Sequence, residues 1–286
     1  MGSFDYICAE SVEEAVSHLA DGEGKVLAGG TNLVPLLRRG PLQSRRLVDI
    51  NRIRAIRILG EDAGRITVGA GVTFAQLAIS PLVQSRGQPL SEAALQVGSS
   101  QIRNVATLGG HIASGFPAAD GVVALLALGA TLQIRSSRGT SRMGLSRFLE
   151  TKPGHVALEA DELIVAVEFS EPPPATRSMF LKLGHRKAFS FSRVSLCMLL
   201  ALSPSGSIEQ AAIAVGAAGP YPFRLASAEG LLVGPHPTPQ LVDEAIEVIG
   251  RDVAHKLGKD FSAAYKRQAI CGLAREALGH CLDVGE

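Results

Sequence analysis

The sequence has no tryptophan, only 3 tyrosines and 5% aromatic residues in all. Proteins that grip single-stranded nucleic acid use aromatic stacking platforms in a basic groove. This chain is poor in the first and has no surplus for the second: 28 Lys and Arg against 27 Asp and Glu leave a formal net charge of +1. No large field favours nucleic acid or an anionic membrane. Cysteine is scarce too. Cys8, Cys197, Cys271 and Cys281 form no CxxC or Cys/His spacing of the kind that holds zinc or an iron–sulfur cluster. In a chain of 286 residues they read as reduced thiols rather than a disulfide framework. None of the 7 histidines pairs at helical spacing with another. There is no GxSxG elbow and no GxxxxGK[ST] loop, which leaves a hydrolase without a nucleophile and a Walker-type nucleotidase without its phosphate cradle. Long apolar runs are missing as well; GVVALLALGA (121–130) is too short to span a bilayer. The N-terminus MGSFDYICAE lacks the basic and apolar regions of a signal peptide, so a cytoplasmic location is the default expectation.

What is present fits a globular chain of two domains, with 46% hydrophobic and 19% charged residues. Ser11 with Glu14 reads as a capping box opening a helix. KVLA (25–28) reads as a buried strand ending on Gly29-Gly30, and 31–39 as a helix capped by Thr31. RLVDI (46–50) is another strand. AIRIL and RITVGA flank EDAG as a hairpin. Thr73 with Gln76 suggests a second capping box, LSEAALQVG (90–98) a helix, and VVALLALGA (122–130) a helix buried on all sides. TLQIRS and ELIVAVEFS (162–170) are strands. EPPPATRS (171–178) predicts a stiff extended linker, because three prolines continue neither helix nor sheet. Beyond it, RVSLCMLLALS and SIEQAAIAVGAAG form a long hairpin, and helices are expected near 224–233, 238–249 and 260–281. His185-Arg186-Lys187 reads as a solvated basic turn. The fold class is α+β.

Two glycine-rich segments carry the chemistry. Pyrophosphate recognition needs backbone N–H groups aimed at the ligand with no Cβ in the way, and a helix N-terminus adds favourable dipole charge. VLAGGTNL (26–33) has the order strand, Gly-Gly, capping residue, helix. VATLGGHI (105–112) holds a second Gly-Gly beside Thr107. Either pair alone reads as an ordinary tight turn; two such loops have the form to grip a dinucleotide from two sides. Gly69-Ala-Gly71 is not a Rossmann fingerprint, since it lacks the third glycine and follows a hairpin strand. Asp120 precedes the buried helix, where it reads as an N-cap or as an acceptor for ribose hydroxyls.

The chain resembles the FAD-binding medium subunit of the xanthine dehydrogenase/carbon monoxide dehydrogenase family of molybdenum hydroxylases. The resemblance runs nearly end to end, through VLAGGTNLVPLLRRG, QIRNVATLGGHIASGFPAADGVVALLALGA, DELIVAVEF, KLGHRKAFSFSRVS and AVGAAGPYPFRLASAEGLLVG. It implies a two-lobed FAD-binding domain of the vanillyl-alcohol-oxidase type over 1–172, with lobes of about 1–54 and 55–172. A smaller α+β domain over 177–283 would follow. It also implies the cofactor contacts. Leu27, Ala28, Gly29, Gly30, Thr31, Asn32 and Leu33 would line the pyrophosphate. Thr107, Leu108, Gly109, Gly110 and His111 would hold phosphate and ring. Asp120 would take the ribose, and Val97 and Ile164 would make apolar contacts. Lys182 would lie over the flavin edge, where a cation stabilises the reduced anionic form. Two departures stand out: Asn32 where relatives often have Asp, and His111 where they often have Asn.

By the same resemblance, molybdenum cofactor and [2Fe-2S] clusters sit in a large and a small partner subunit, an assembly that a dimer of heterotrimers would satisfy. An external electron acceptor completes the path, and no side chain of this chain serves as an essential acid or base. A stand-alone flavin oxidoreductase and a scaffold subunit that has lost FAD are the competing expectations.

Overall fold

The computed structural model describes residues 4–39, 44–151, 155–184 and 191–282; the triplet His185-Arg186-Lys187 lies outside them. Three sheets organise it, in chain order. The first comprises β1 (Asp5–Cys8), β2 (Gly24–Leu27) and β3 (Arg46–Asp49), all parallel, with β3 in the middle. Helix α1 (Val12–Leu19) covers it with Ala15, Val16 and Leu19. Ser11 accepts from Glu14 N at 3.1 Å, and the Glu14 carboxylate reaches back to Glu10 N at 2.8 Å. Helix α2 (Leu33–Arg39) follows β2 and buries none of its residues.

A 3-10 turn over Arg54–Arg57 leads into β4 (Leu59–Asp62) and β5 (Arg65–Gly69). Six helices come next: α3 (Phe74–Ile79), α4 (Pro81–Arg86), α5 (Gln88–Gln96), α6 (Ser100–Val105), α7 (Leu108–Ala113) and α8 (Asp120–Ala127). Then β6 (Thr131–Ser136), β7 (Gly139–Gly144), α9 (Leu145–Leu149) and β8 (Leu163–Ser170) complete a five-stranded antiparallel sheet of order β4-β5-β8-β6-β7. The capping box at α3 is complete: Thr73 accepts from Gln76 N, and the Gln76 side chain returns to Thr73 N. Every residue of α8 is buried, Asp120 included, as the apolar run that follows Asp120 requires.

The last sheet, β12-β11-β10-β9, is antiparallel and built from β9 (Thr176–Gly184), β10 (Ser192–Leu202), β11 (Ile208–Gly216) and β12 (Phe223–Arg224). Helices α10 (Ala226–Leu232), α11 (Pro239–Leu257) and α12 (Ala263–Leu282) close the chain. This sheet is covered on both faces. Leu196, Met198 and Leu200 of β10 pack with α11 and α12, whereas the alternate residues Cys197 and Leu199 join the core around α8. That explains why β10 reads as a continuous apolar run rather than an alternating one.

Several expectations change. AIRIL is not a strand: Arg54–Arg57 is a 3-10 turn, and pairing begins at Leu59. TLGGH is not an open loop but the first turn of α7. Helix α2 starts at Leu33, two residues beyond Thr31, and neither Thr31 nor Asn32 makes a side-chain capping bond among the described residues. The triple proline does not extend. Thr176 N donates to Pro173 O at 3.1 Å in a tight reversal that delivers the chain into β9, a strand the proline run conceals in the sequence.

Candidate cofactor site

Parallel pairing in the first sheet sets Leu27 opposite Asp49, so both segments that follow β2 and β3 emerge on the same edge. In open α/β sheets that carboxyl edge is where ligands lodge. The segment after β2 is built for close approach. A Cβ on Gly29 would stand 2.0 Å from the Val105 carbonyl oxygen, and Gly30 has φ +69°, the left-handed region that glycine adopts without strain. Among the described residues, none of the backbone N–H groups from Gly29 through Asn32 has a hydrogen-bond partner. Four consecutive unengaged donors leading into a helix are available to an anion.

The second glycine segment lies against the first. Gly29 meets Val105 and Ala106, and a Cβ on Gly110 would lie 3.9 Å from Ala28 Cβ. Its backbone is differently committed, however. Leu108 N donates to Val72 O and Gly109 N to Ala70 O, both within 2.9 Å, while Gly110 N donates to Thr107 Oγ1 and His111 N to Thr107 O. Gly109 is required by packing on Ala70, whose Cβ would lie 2.6 Å from an added Cβ. Hence the first segment supplies free donors, and the second supplies a wall exposed at Val105 and Gly110. Gly69 and Gly71 belong to neither. They let the chain pass the Ile56 carbonyl, to which Gly71 N donates at 2.7 Å.

A second cluster sits behind α7. Asp120 is the first residue of α8, not its cap; the cap position is Ala119, with no side-chain bond. The Asp120 carboxylate turns the other way, accepting from Lys182 Nζ at 2.7 Å and from Ser192 Oγ at 2.5 Å. Lys182 Nζ also donates to Gln96 O at 2.9 Å, beneath the half-turn that carries Val97. Burial pushes the Asp120 carboxyl up from its ordinary value, against the pull of Lys182 and Ser192. His111 takes over the capping role: its Nε2 accepts from Gly121 N at 3.3 Å, and its ring meets Phe74 edge-on at 4.7 Å. Desolvation, with Lys182 nearby, lowers the His111 pKa to about 4, so it is a neutral acceptor at ordinary pH. Ile164 lies on β8 with 3% of its surface exposed, inside the core below α7.

Sequence reasoning therefore named residues that fall into two neighbouring groups, one around Gly29–Asn32 and one around His111, Asp120, Lys182 and Val97. It missed Asn51, Ser192 and Gln96, whose parts depend on partners 23, 72 and 86 positions away.

Comparison with known proteins decides the family. Residues 2–172 match the model of the FAD binding domain in molybdopterin dehydrogenase, and residues 179–281 that of the CO dehydrogenase flavoprotein C-terminal domain. The chain belongs to this family of FAD-binding dehydrogenase subunits. It is 30% identical to the nicotinate dehydrogenase FAD-subunit of Eubacterium barkeri, over 99% of this chain and 97% of that one. It is 31% identical to the putative xanthine dehydrogenase FAD-binding subunit of Escherichia coli K12, over 97% and 95%. Among solved structures, a chain of carbon monoxide dehydrogenase from Hydrogenophaga pseudoflava superposes with a TM-score of 0.91 at 27% identity, covering 98% of this chain and 97% of that chain. Quinoline 2-oxidoreductase from Pseudomonas putida 86 gives 0.87 at 26%, with 98% and 97% covered. No described helix is long and apolar enough to cross a membrane.

Proposed function

We propose that this chain is the flavoprotein subunit of a heteromeric molybdenum hydroxylase. It receives electrons from [2Fe-2S] clusters in a small partner and passes them to an external acceptor, while a large partner carries the molybdenum cofactor and the substrate pocket. The observation that carries this reading is the run of free N–H donors from Gly29 through Asn32 facing the wall of the second glycine segment. Those donors fit a pyrophosphate, and a nucleotide of two phosphates suits a concavity with two sides.

FAD, when bound, supplies the redox chemistry. The residues of this chain bind and orient it. Leu27 to Leu33 hold the pyrophosphate; Thr107, Leu108, Gly109, Gly110 and His111 carry phosphate and ring; Val97 and Ile164 back that wall with apolar packing. Asp120 and Lys182 form a buried ion pair behind that wall and set a fixed charge arrangement beneath the ribose and flavin ends of the cofactor. No proton-transfer residue is required.

The partner reading has separate support. Helix α2 is apolar at Leu33, Val34, Leu36 and Leu37 yet buries none of them. Ile102 and Val105 of α6 are 38% and 48% exposed. Exposed apolar side chains on two helices supply the kind of surface that a partner covers.

Purification of the assembly from its native source tests the proposal. One larger and one smaller chain should come with this one, together with flavin absorbance bands and molybdenum and iron by elemental analysis. A clean monomer without flavin bands overturns the reading; a monomer that keeps flavin and turns over a small organic substrate alone points to a stand-alone oxidoreductase.

A further inference from the structure

Asn51 stands at the carboxyl end of β3, two residues beyond Asp49, and uses every polar atom of its side chain. Its Nδ2 donates to the Asp49 carboxylate at 2.7 Å and to the Ala28 carbonyl at 2.9 Å. Its Oδ1 accepts from Arg57 Nη2 at 3.2 Å, and its backbone N donates to Asp49 Oδ1 at 2.8 Å. Only one orientation of the amide satisfies these partners, since a carboxylate and a carbonyl both need donors and a guanidinium needs an acceptor. Asp49 is itself only 8% exposed, and its other oxygen accepts from the Tyr6 hydroxyl. Three segments far apart in the chain thus meet at the Asp49–Asn51 pair: β1 through Tyr6 on Asp49, β3 through Asp49 itself, and the glycine segment through Ala28 on Asn51.

The bond to Ala28 has a geometric consequence. A trans peptide is planar, with its C=O and N–H pointing in opposite directions. Tying the Ala28 oxygen to Asn51 therefore turns the Gly29 N–H away from Asn51. Gly29 is the first of the four unengaged donors, and it lies on the side that meets Val105. Backbone without Cβ atoms has no side chain to hold its peptide planes, and Gly30 is free to leave its left-handed conformation. Something outside the segment must set its direction, and Asn51 is the described side chain that bonds to it.

We infer that Asn51 is a positioning residue for the cofactor's pyrophosphate. It fixes the Ala28–Gly29 peptide plane and so preorganises the donor run before the ligand arrives. The inference rests on the FAD reading above. Other side chains meet the need less well. Serine has one hydroxyl donor for two acceptors, and aspartate would set a second carboxylate against Asp49 with no donor for Ala28.

The test uses the intact complex, stripped of flavin and titrated with FAD. N51A should weaken FAD binding about tenfold to a hundredfold, the range expected from losing one or two hydrogen bonds that hold a binding loop. It should also shift the 31P resonances of the bound FAD pyrophosphate, and N51D should behave likewise. A second variant separates positioning from simple support. Y6F removes the opposite bond to Asp49 and leaves Asn51 with its partners. It should lower the melting temperature of the stripped complex while keeping FAD affinity and the 31P signature. Wild-type affinity and unchanged 31P resonances in N51A would overturn the inference. So would equal effects of N51A and Y6F on both affinity and melting. A wild-type complex that takes up no FAD would overturn the FAD reading itself, and the inference with it.

Discussion

Lys182 Nζ and Asp120 Oδ2 lie 2.7 Å apart, with side chains 9% and 5% exposed, and they belong to elements separated by 62 positions. Removing one partner of such a pair leaves a buried charge uncompensated, which costs about 3–5 kcal/mol. K182M or D120N alone should therefore lower the melting temperature sharply. The double variant K182M/D120N should recover a large part of the loss, because replacing both charges is far cheaper than orphaning one. Thermal unfolding of the four proteins decides it, and additive losses would show the two groups to be independent.

His111 should give the protein an acid-sensitive stability. Its folded pKa is depressed to about 4 from 6.5, so between those values the unfolded chain takes up a proton that the folded chain resists. Stability is intact above about pH 6.5 and falls as pH drops through the window, by about 2–3 kcal/mol at pH 4.5. Protonation also removes the acceptor that serves Gly121 N. H111N keeps a side-chain acceptor and has no proton to gain in this range. Its melting temperature should accordingly fall less than that of the wild type between pH 7 and pH 4.5.

Gly29→Ala should abolish flavin uptake. The added Cβ would meet the Val105 carbonyl oxygen at 2.0 Å, and backbone cannot swing aside as a long side chain can. Gly60→Ala is the matched control, since a Cβ there meets nothing within 4 Å. Flavin content per chain, read from absorbance, should be lost in the first and normal in the second.

Glu168, 5% exposed on β8, is flanked by Arg142 at 3.2 Å and Arg65 at 3.6 Å and also accepts from Gln133. Each arginine is more than half exposed, so R65A or R142A alone should cost no more than about 1 kcal/mol. The double variant should cost clearly more than the sum, roughly 2–4 kcal/mol, because the carboxylate is then left in the sheet without a cation. Denaturant unfolding of the singles and the double measures the excess.

Features set by neighbours in the chain were legible in the sequence. Ser11 with Glu14, Thr73 with Gln76, the apolar run of α8 and the β10–β11 hairpin all depend on spacing within a few residues or one turn. The form strand, Gly-Gly, helix at 26–39 was legible for the same reason. What escaped depends on register and distance. Nothing near Asn51 says that parallel pairing will bring Leu27 opposite Asp49 and so set Ala28 within reach. Asp120 looked like a cap because it precedes an apolar helix; a lysine from β9 and a serine from β10 turned its carboxylate elsewhere. Lys182 itself lies on a strand hidden behind three prolines, where composition signalled a linker and the fold makes a reversal.

The sheet β12-β11-β10-β9, with one face in each of two cores, limits how relatives could exchange parts. The border between 172 and 179 has the form of a seam for recombination, marked by Pro172, Pro173 and Pro174. A chimera joined there would bring in a foreign Phe180, Cys197, Leu199 and Ala214 against a native α8, and would match Asp120 with a stranger's lysine and serine. Transplanting the C-terminal part of this subunit means transplanting one wall of the flavin side's interior with it.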